Sequence, residues 1–230
     1  DEQGKGRLYL DWLMGLHALC EKHGRRMMFW GDIIKQHPEL IAEIPRDVTA
    51  LAWGYEHDHP FDADGLAYRK VRRPFYVCPG AGGWNSFLGR TANMVANITN
   101  ATANGLKHGA TGVLTTEWGD GGHMQPAPVA WAGFLFGAAM SWSHVASGGM
   151  DLPRALSLHA FYDPPGETGR IEAVALTPIF GFRQSKLTAK ERRYRYYRHS
   201  EQRRGRHPCS HDNRYLRADA IESAVLECVD

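Results

Sequence analysis

Between Leu8 and Lys22 apolar residues return at helical spacing: Leu8, Trp12, Leu16 and Leu19, with Leu13 and Cys20 beside them. Gly24 ends that segment, and the apolar run Met27-Met28-Phe29-Trp30 behind Arg26 reads as a strand over 26–30, buried on both faces. The same alternation returns three times. A helix over 37–44 precedes a strand over 48–53, a helix over 61–71 precedes a strand over 74–78, and a helix over 91–107 precedes a strand over 112–118. Helices alternating with short buried strands predict an α/β fold with a parallel sheet, the strands in consecutive order. The apolar stretch 129–142 and the segment 152–161 add two further helices.

A second regularity separates one kind of parallel sheet from another. Three of the strands end in the same dipeptide, Trp30-Gly31, Trp53-Gly54 and Trp118-Gly119, and the fourth is followed by Trp84-Asn85. A doubly wound sheet gathers ligands at one switch point, whereas a (β/α)8 barrel of the TIM type uses every strand end. The pattern therefore predicts a barrel. Only four strand–helix units are present, so the barrel is incomplete in this chain, and a half-barrel with two open edges is expected to associate with another copy or to aggregate.

Charge divides the chain in two. From Arg183 to Arg217 there are 12 Lys/Arg against Glu191, Glu201 and Asp212, a net of +9, while the remainder holds 15 basic and 22 acidic residues, a net of −7. The expected organisation is a catalytic-domain half over 1–162 and a divergent basic tail over 163–230, disordered or not native to the protein. The Arg/Tyr interleaving of Lys190–Arg206 could meet nucleic acid, but no recognition module surrounds it, and a solvated tail is the expectation. Cys20, Cys78, Cys209 and Cys228 form no CxxC pair, which favours unpaired thiols and a cytoplasmic setting. No run reaches the length of a membrane span, so no membrane partner is expected.

Sugars present apolar C–H faces ringed by hydroxyls, so a sugar pocket wants aromatic walls and carboxylates that accept hydroxyl protons. The strand ends hold both: Trp30 with Asp32, Trp53 with Tyr55 and Glu56, Tyr76 with Trp84, and Trp118 with Glu117 and Asp120. A metal at this edge could draw on Asp32, Asp120 and His123, but no HxH or HExxH pair is present, so neither a metal nor a cofactor is expected.

The order of Met28–Asp32, Leu51–Glu56, Phe75–Gly80, Trp84-Asn85-Ser86 and Thr116–His123 resembles successive strand ends of the family 20 β-N-acetylhexosaminidases, from about Gly4 to Phe161. The resemblance implies a retaining glycoside hydrolase that removes terminal β-linked N-acetylhexosamine, with the substrate's own acetamido group as nucleophile. It implies that Trp30, Trp53 and Trp118 wall the pocket, that Tyr76 holds the acetamido carbonyl, and that Asp120 binds sugar hydroxyls where the family has a Glu. The family's Asp-Glu catalytic pair follows a buried strand. Asp1-Glu2 has no strand before it, so the pair is expected upstream of this sequence and the catalytic residues stay unassigned. The alternative is a non-catalytic sugar-binding fragment, or a truncated inactive product.

Overall fold

In a computed structural model the described residues are 2–84, 86, 88–120 and 125–163, with the backbone of 196–198 and 215–217. Four strands, β1 (Met28–Trp30), β2 (Thr49–Trp53), β3 (Phe75–Cys78) and β4 (Gly112–Val113), form one sheet in the order β1-β2-β3-β4. Every pairing is parallel, with Phe29 opposite Ala50, Leu51 opposite Tyr76 and Val77 opposite Val113. The fold is α/β, and the consecutive parallel order is the one expected.

β4 is shorter than the 112–118 expected. Its hydrogen bonds nevertheless continue, from Leu114 N to Val77 O, from Thr116 N to Pro79 O and from Ala81 N to Thr116 O. Pro79 has no N–H to give back, so the ladder loses its regular alternation there and resumes as a single bridge between Gly80 and Thr116.

The helices are α1 (Glu2–Lys22), α2 (Asp32–Lys35), α3 (Phe61–Lys70), α4 (Thr91–His108), α5 (Trp131–Trp142), α6 (His144–Ser147) and α7 (Leu152–His159). α1 starts upstream of Leu8, because Lys5 and Arg7 are good helix formers that no apolar pattern marks. The helix expected over 37–44 is a 3-10 segment, Pro38–Glu43. Pro38 and Pro45 bracket it too closely for an α-helical nucleus to propagate. A 3-10 turn at Ala127–Ala130 likewise takes the first residues of the helix expected over 129–142. α4 ends where Gly109 turns left-handed at φ 76°, and Asp151 caps α7 by accepting Arg154 N–H at 3.1 Å. An antiparallel pair, β5 (Tyr196–Arg198) with β6 (Tyr215–Arg217), lies in the basic stretch, where no strand was expected. The other expectations for the tail fall outside the described residues.

Strand alternation sorts the side chains into two faces. Phe29, Ala50, Ala52, Phe75 and Val77 face the helices and build a core with Leu10, Leu13, Ile34, Ile41, Phe61 and Tyr68. Tyr68 and Phe75 stack with ring centroids 5.4 Å apart, and burying each such ring contributes roughly 1.5–3 kcal/mol. A second core joins α4, α5 and α7 through Met94, Ile98, Phe136, Met140 and Leu156. The opposite sheet face carries Met28, Trp30, Leu51, Tyr76 and Leu114, of which Met28, Trp30 and Leu114 are exposed. No helix among the described residues is long and apolar enough to cross a membrane.

Candidate functional site

Because the strands are parallel, all four deliver their C-terminal ends to one edge, and the aromatic residues noted in the sequence meet there. The Trp30 and Trp118 rings lie 5.7 Å apart, tilted by 53°. Trp118 Nε1 donates to the Tyr55 hydroxyl at 2.9 Å. Tyr55 in turn stacks on Trp53 at 5.0 Å and meets the Trp84 ring edge-on at 5.0 Å. Five rings thus form one connected surface. Gly80 makes the last contact feasible: a Cβ there would stand 2.5 Å from the Trp84 ring and 3.1 Å from Tyr55. Trp30 and Trp118 are 36% and 37% exposed, whereas Trp84 is buried and backs Tyr55 from beneath.

The polar candidates divide. Asp120 is exposed beside this surface. Burial raises the Tyr55 pKa most, and the Asp120 charge adds to the rise, against lowering hydrogen bonds with Thr116 and Trp118. Asp32 opens α2 directly after the Trp30-Gly31 turn. Two phenols pin that turn: Tyr9 OH donates to Trp30 O at 3.5 Å and Tyr68 OH to Gly31 O at 3.4 Å. Burial raises both tyrosine pKa values, with the Asp32 charge contributing. Glu56 is taken by Arg90, whose guanidinium reaches both carboxylate oxygens, one at 2.8 Å and one at 2.5 Å. That fork holds Glu56 below the usual carboxylate range. Tyr76 sits a level lower, its ring laid over Gly112, where a Cβ would come within 2.3 Å.

Several residues that hold the edge together carried no signal in the sequence. One face of α4 presents Asn93, Asn97 and Asn100 to the segment that follows β2. Asn97 Nδ2 donates to Gly54 O at 3.0 Å and Glu56 O at 2.8 Å, and its Oδ1 accepts Gly80 N–H at 3.0 Å. Asn93 donates to Tyr55 O and accepts from His57 N–H. Asn100 donates to His57 O and His59 O. On the far side, Glu117 accepts from Gly83 N–H at 3.3 Å and Gln125 Nε2 at 2.7 Å, tying the loop after β3 to the residues before Trp118. The isolated Asn, Arg and Gln were invisible as site residues because their partners lie far along the chain.

His123 falls outside the described residues. Among the described residues, His17, Glu21 and Asp47 bring metal-ligand atoms within 4.8 Å of one another. They lie at the opposite end of the sheet, where His17 Nε2 and an Asp47 carboxylate oxygen are 2.9 Å apart, within hydrogen-bond distance. The chain matches no family model and no curated protein.

Proposed function

We propose that this chain is part of a (β/α)8-barrel glycoside hydrolase of the family 20 type, and that its aromatic edge binds a terminal β-linked N-acetylhexosamine. The observation that carries the reading is the connected ring surface at the C-terminal edge of a parallel sheet. Trp30 ends β1 and Trp118 lies beyond β4, the two outermost strands, which in a flat sheet would stand roughly 14 Å apart. Ring contact at 5.7 Å suits a sheet that curls toward its own strand ends, as barrel strands do.

In this reading Trp30 and Trp118 cover the apolar face of the sugar ring, and Asp32 and Asp120 accept its hydroxyl protons. Tyr76, deeper in the face, is the donor for the acetamido carbonyl. The acetamido oxygen attacks the anomeric carbon while the leaving oxygen takes a proton from a carboxylic acid outside the described residues. Water then opens the oxazolinium, so the configuration is retained. A second reading, sugar binding without turnover, is favoured by the engagement of Glu56 with Arg90, which leaves that carboxylate ill placed for acid–base work.

Calorimetric titration with N-acetylglucosamine and turnover of an aryl N-acetylhexosaminide separate the two. Trp118→Ala and Asp120→Ala, each checked for folding by thermal melt, are expected to weaken binding at least ~10-fold. Binding without turnover supports the second reading. Folded variants that bind as the wild type does would make these residues structural and sink both.

A further inference from the structure

α1 is apolar on two faces. Leu10 and Leu13 are buried against the sheet-side core, while Leu8, Trp12 and Leu19 are 71%, 60% and 52% exposed. Gly15 stands among the exposed three, and a Cβ there would meet nothing within 4 Å. Positions 8, 12, 15 and 19 advance by four, three and four, the spacing of one seam along a helix. A surface helix has no reason to hold Leu, Trp and Leu in line toward water unless something covers them.

The seam is its own complement when reversed. Two copies of α1 laid antiparallel about a point between Leu13 and Met14 set Leu8 of each against Leu19 of the other. The same register sets Trp12 of each against Gly15 of the other. The largest side chain then meets the one position with no side chain, knob into hole. We propose that α1 is a homodimer contact in this register, with each Trp12 indole seated over the Gly15 of the second copy. Lys5 and Lys22 bracket the seam and would face each other in a longer contact, so the interface stops at these four positions.

Covering one Trp and two Leu per copy removes on the order of 600–800 Å² in total, the size of a transient interface. A contact this small is expected to be weak, with a dissociation constant on the order of 10–100 µM. The contact lies on the far side of α1 from the sheet, so it holds whether or not the aromatic edge binds sugar.

Sedimentation equilibrium of the full chain, from about 5 to 500 µM, reads the association directly. The wild type is expected to pass from monomer to dimer across that range, and Trp12→Ala to raise the dissociation constant at least about 30-fold. Gly15→Leu fills the hole, so it stays monomeric at the highest concentration. Its own fold gains, because a Cβ at position 15 meets no atom within 4 Å and leucine is a better helix former than glycine, so its Tm rises. Loss of dimer with a raised melt is an outcome misfolding cannot imitate. A wild type that is monomeric throughout overturns the proposal. So does a dimer that survives both variants, which would place the contact elsewhere, at the open edges of β1 or β4.

Discussion

Asp64 is the carboxylate on which the segments after β1 and β2 converge. Its side chain is 6% exposed and receives Lys35 Nζ at 2.8 Å and His59 Nε2 at 3.0 Å. Burial pushes its pKa up, but the hydrogen bonds from His59 and Lys35 outweigh burial and the net shift is downward. A folded pKa below the unfolded value gives stability that is present above the unfolded pKa, near 3.9, and is lost as pH falls through the folded value. Asp64→Ala strands a partly exposed lysine and is expected to cost about 3 kcal/mol in urea unfolding at pH 7. The gap between variant and wild type should narrow as pH falls below about 4; a gap constant with pH would refute the linkage. At this scale the sequence was most legible where a residue type repeated. Trp30, Trp53 and Trp118 announced themselves by their shared glycine, whereas Arg90 did not, because its partner Glu56 lies 34 residues away and any surface arginine looks alike.

Elements were legible where periodicity ran long. α3 and α4 follow their apolar patterns closely and α1 does so from Leu8 onward, while the short segment between Pro38 and Pro45 became 3-10 because periodicity over a few residues does not distinguish the two helices. β4 loses its regular pairing after Val113 for a reason that lies in its neighbour, Pro79, and not in its own residues. The polar face of α4 is the larger surprise. Asparagine is an indifferent helix former, yet Asn93, Asn97 and Asn100 recur at helical spacing, and their amides take up backbone groups of the segment after β2. Asn97 is fully buried and serves three such groups. Asn97→Ala leaves them without partners and is expected to cost on the order of 3 kcal/mol in chemical denaturation, with Asn100→Ala, more exposed, costing about 1. Asn97→Asp should cost at least as much as Asn97→Ala, since a carboxylate would face two carbonyls. Equal costs at positions 97 and 100 would count against the hydrogen bonds as the cause.

For the whole molecule, strand order and direction followed from the alternation of elements, and the sheet is parallel as that alternation requires. One face of the sheet carries Met28, Trp30 and Leu114 toward solvent, which the four strand patterns alone did not foretell. Nor did they foretell the β5–β6 pair, since Tyr and Arg at its positions are equally at home in a tail. The asparagine face of α4 also bears on how the protein can be made. Asn97-Ile98-Thr99 and Asn100-Ala101-Thr102 are acceptor sequences for N-linked glycans. In the folded chain the Asn97 amide nitrogen is out of reach and committed to two carbonyls. On a nascent chain entering a glycosylating compartment it is free, so helix docking and oligosaccharide transfer compete in time. A glycan on Asn97 has no room beside Gly54 and Glu56, and α4 cannot then seat. Secreted expression in a eukaryotic host is therefore expected to yield little folded protein. Thr99→Val removes the acceptor sequence at Asn97 for the loss of one intrahelical hydroxyl bond to Val95 O. Made together with Asn100→Ala, which removes the second acceptor, it should raise the secreted yield above that of Asn100→Ala alone while leaving the yield from a bacterial cytosol unchanged. Equal secreted yields would mean that docking wins the race. Where glycans are added, the amide that positions the aromatic edge is thus open to modification before the fold exists.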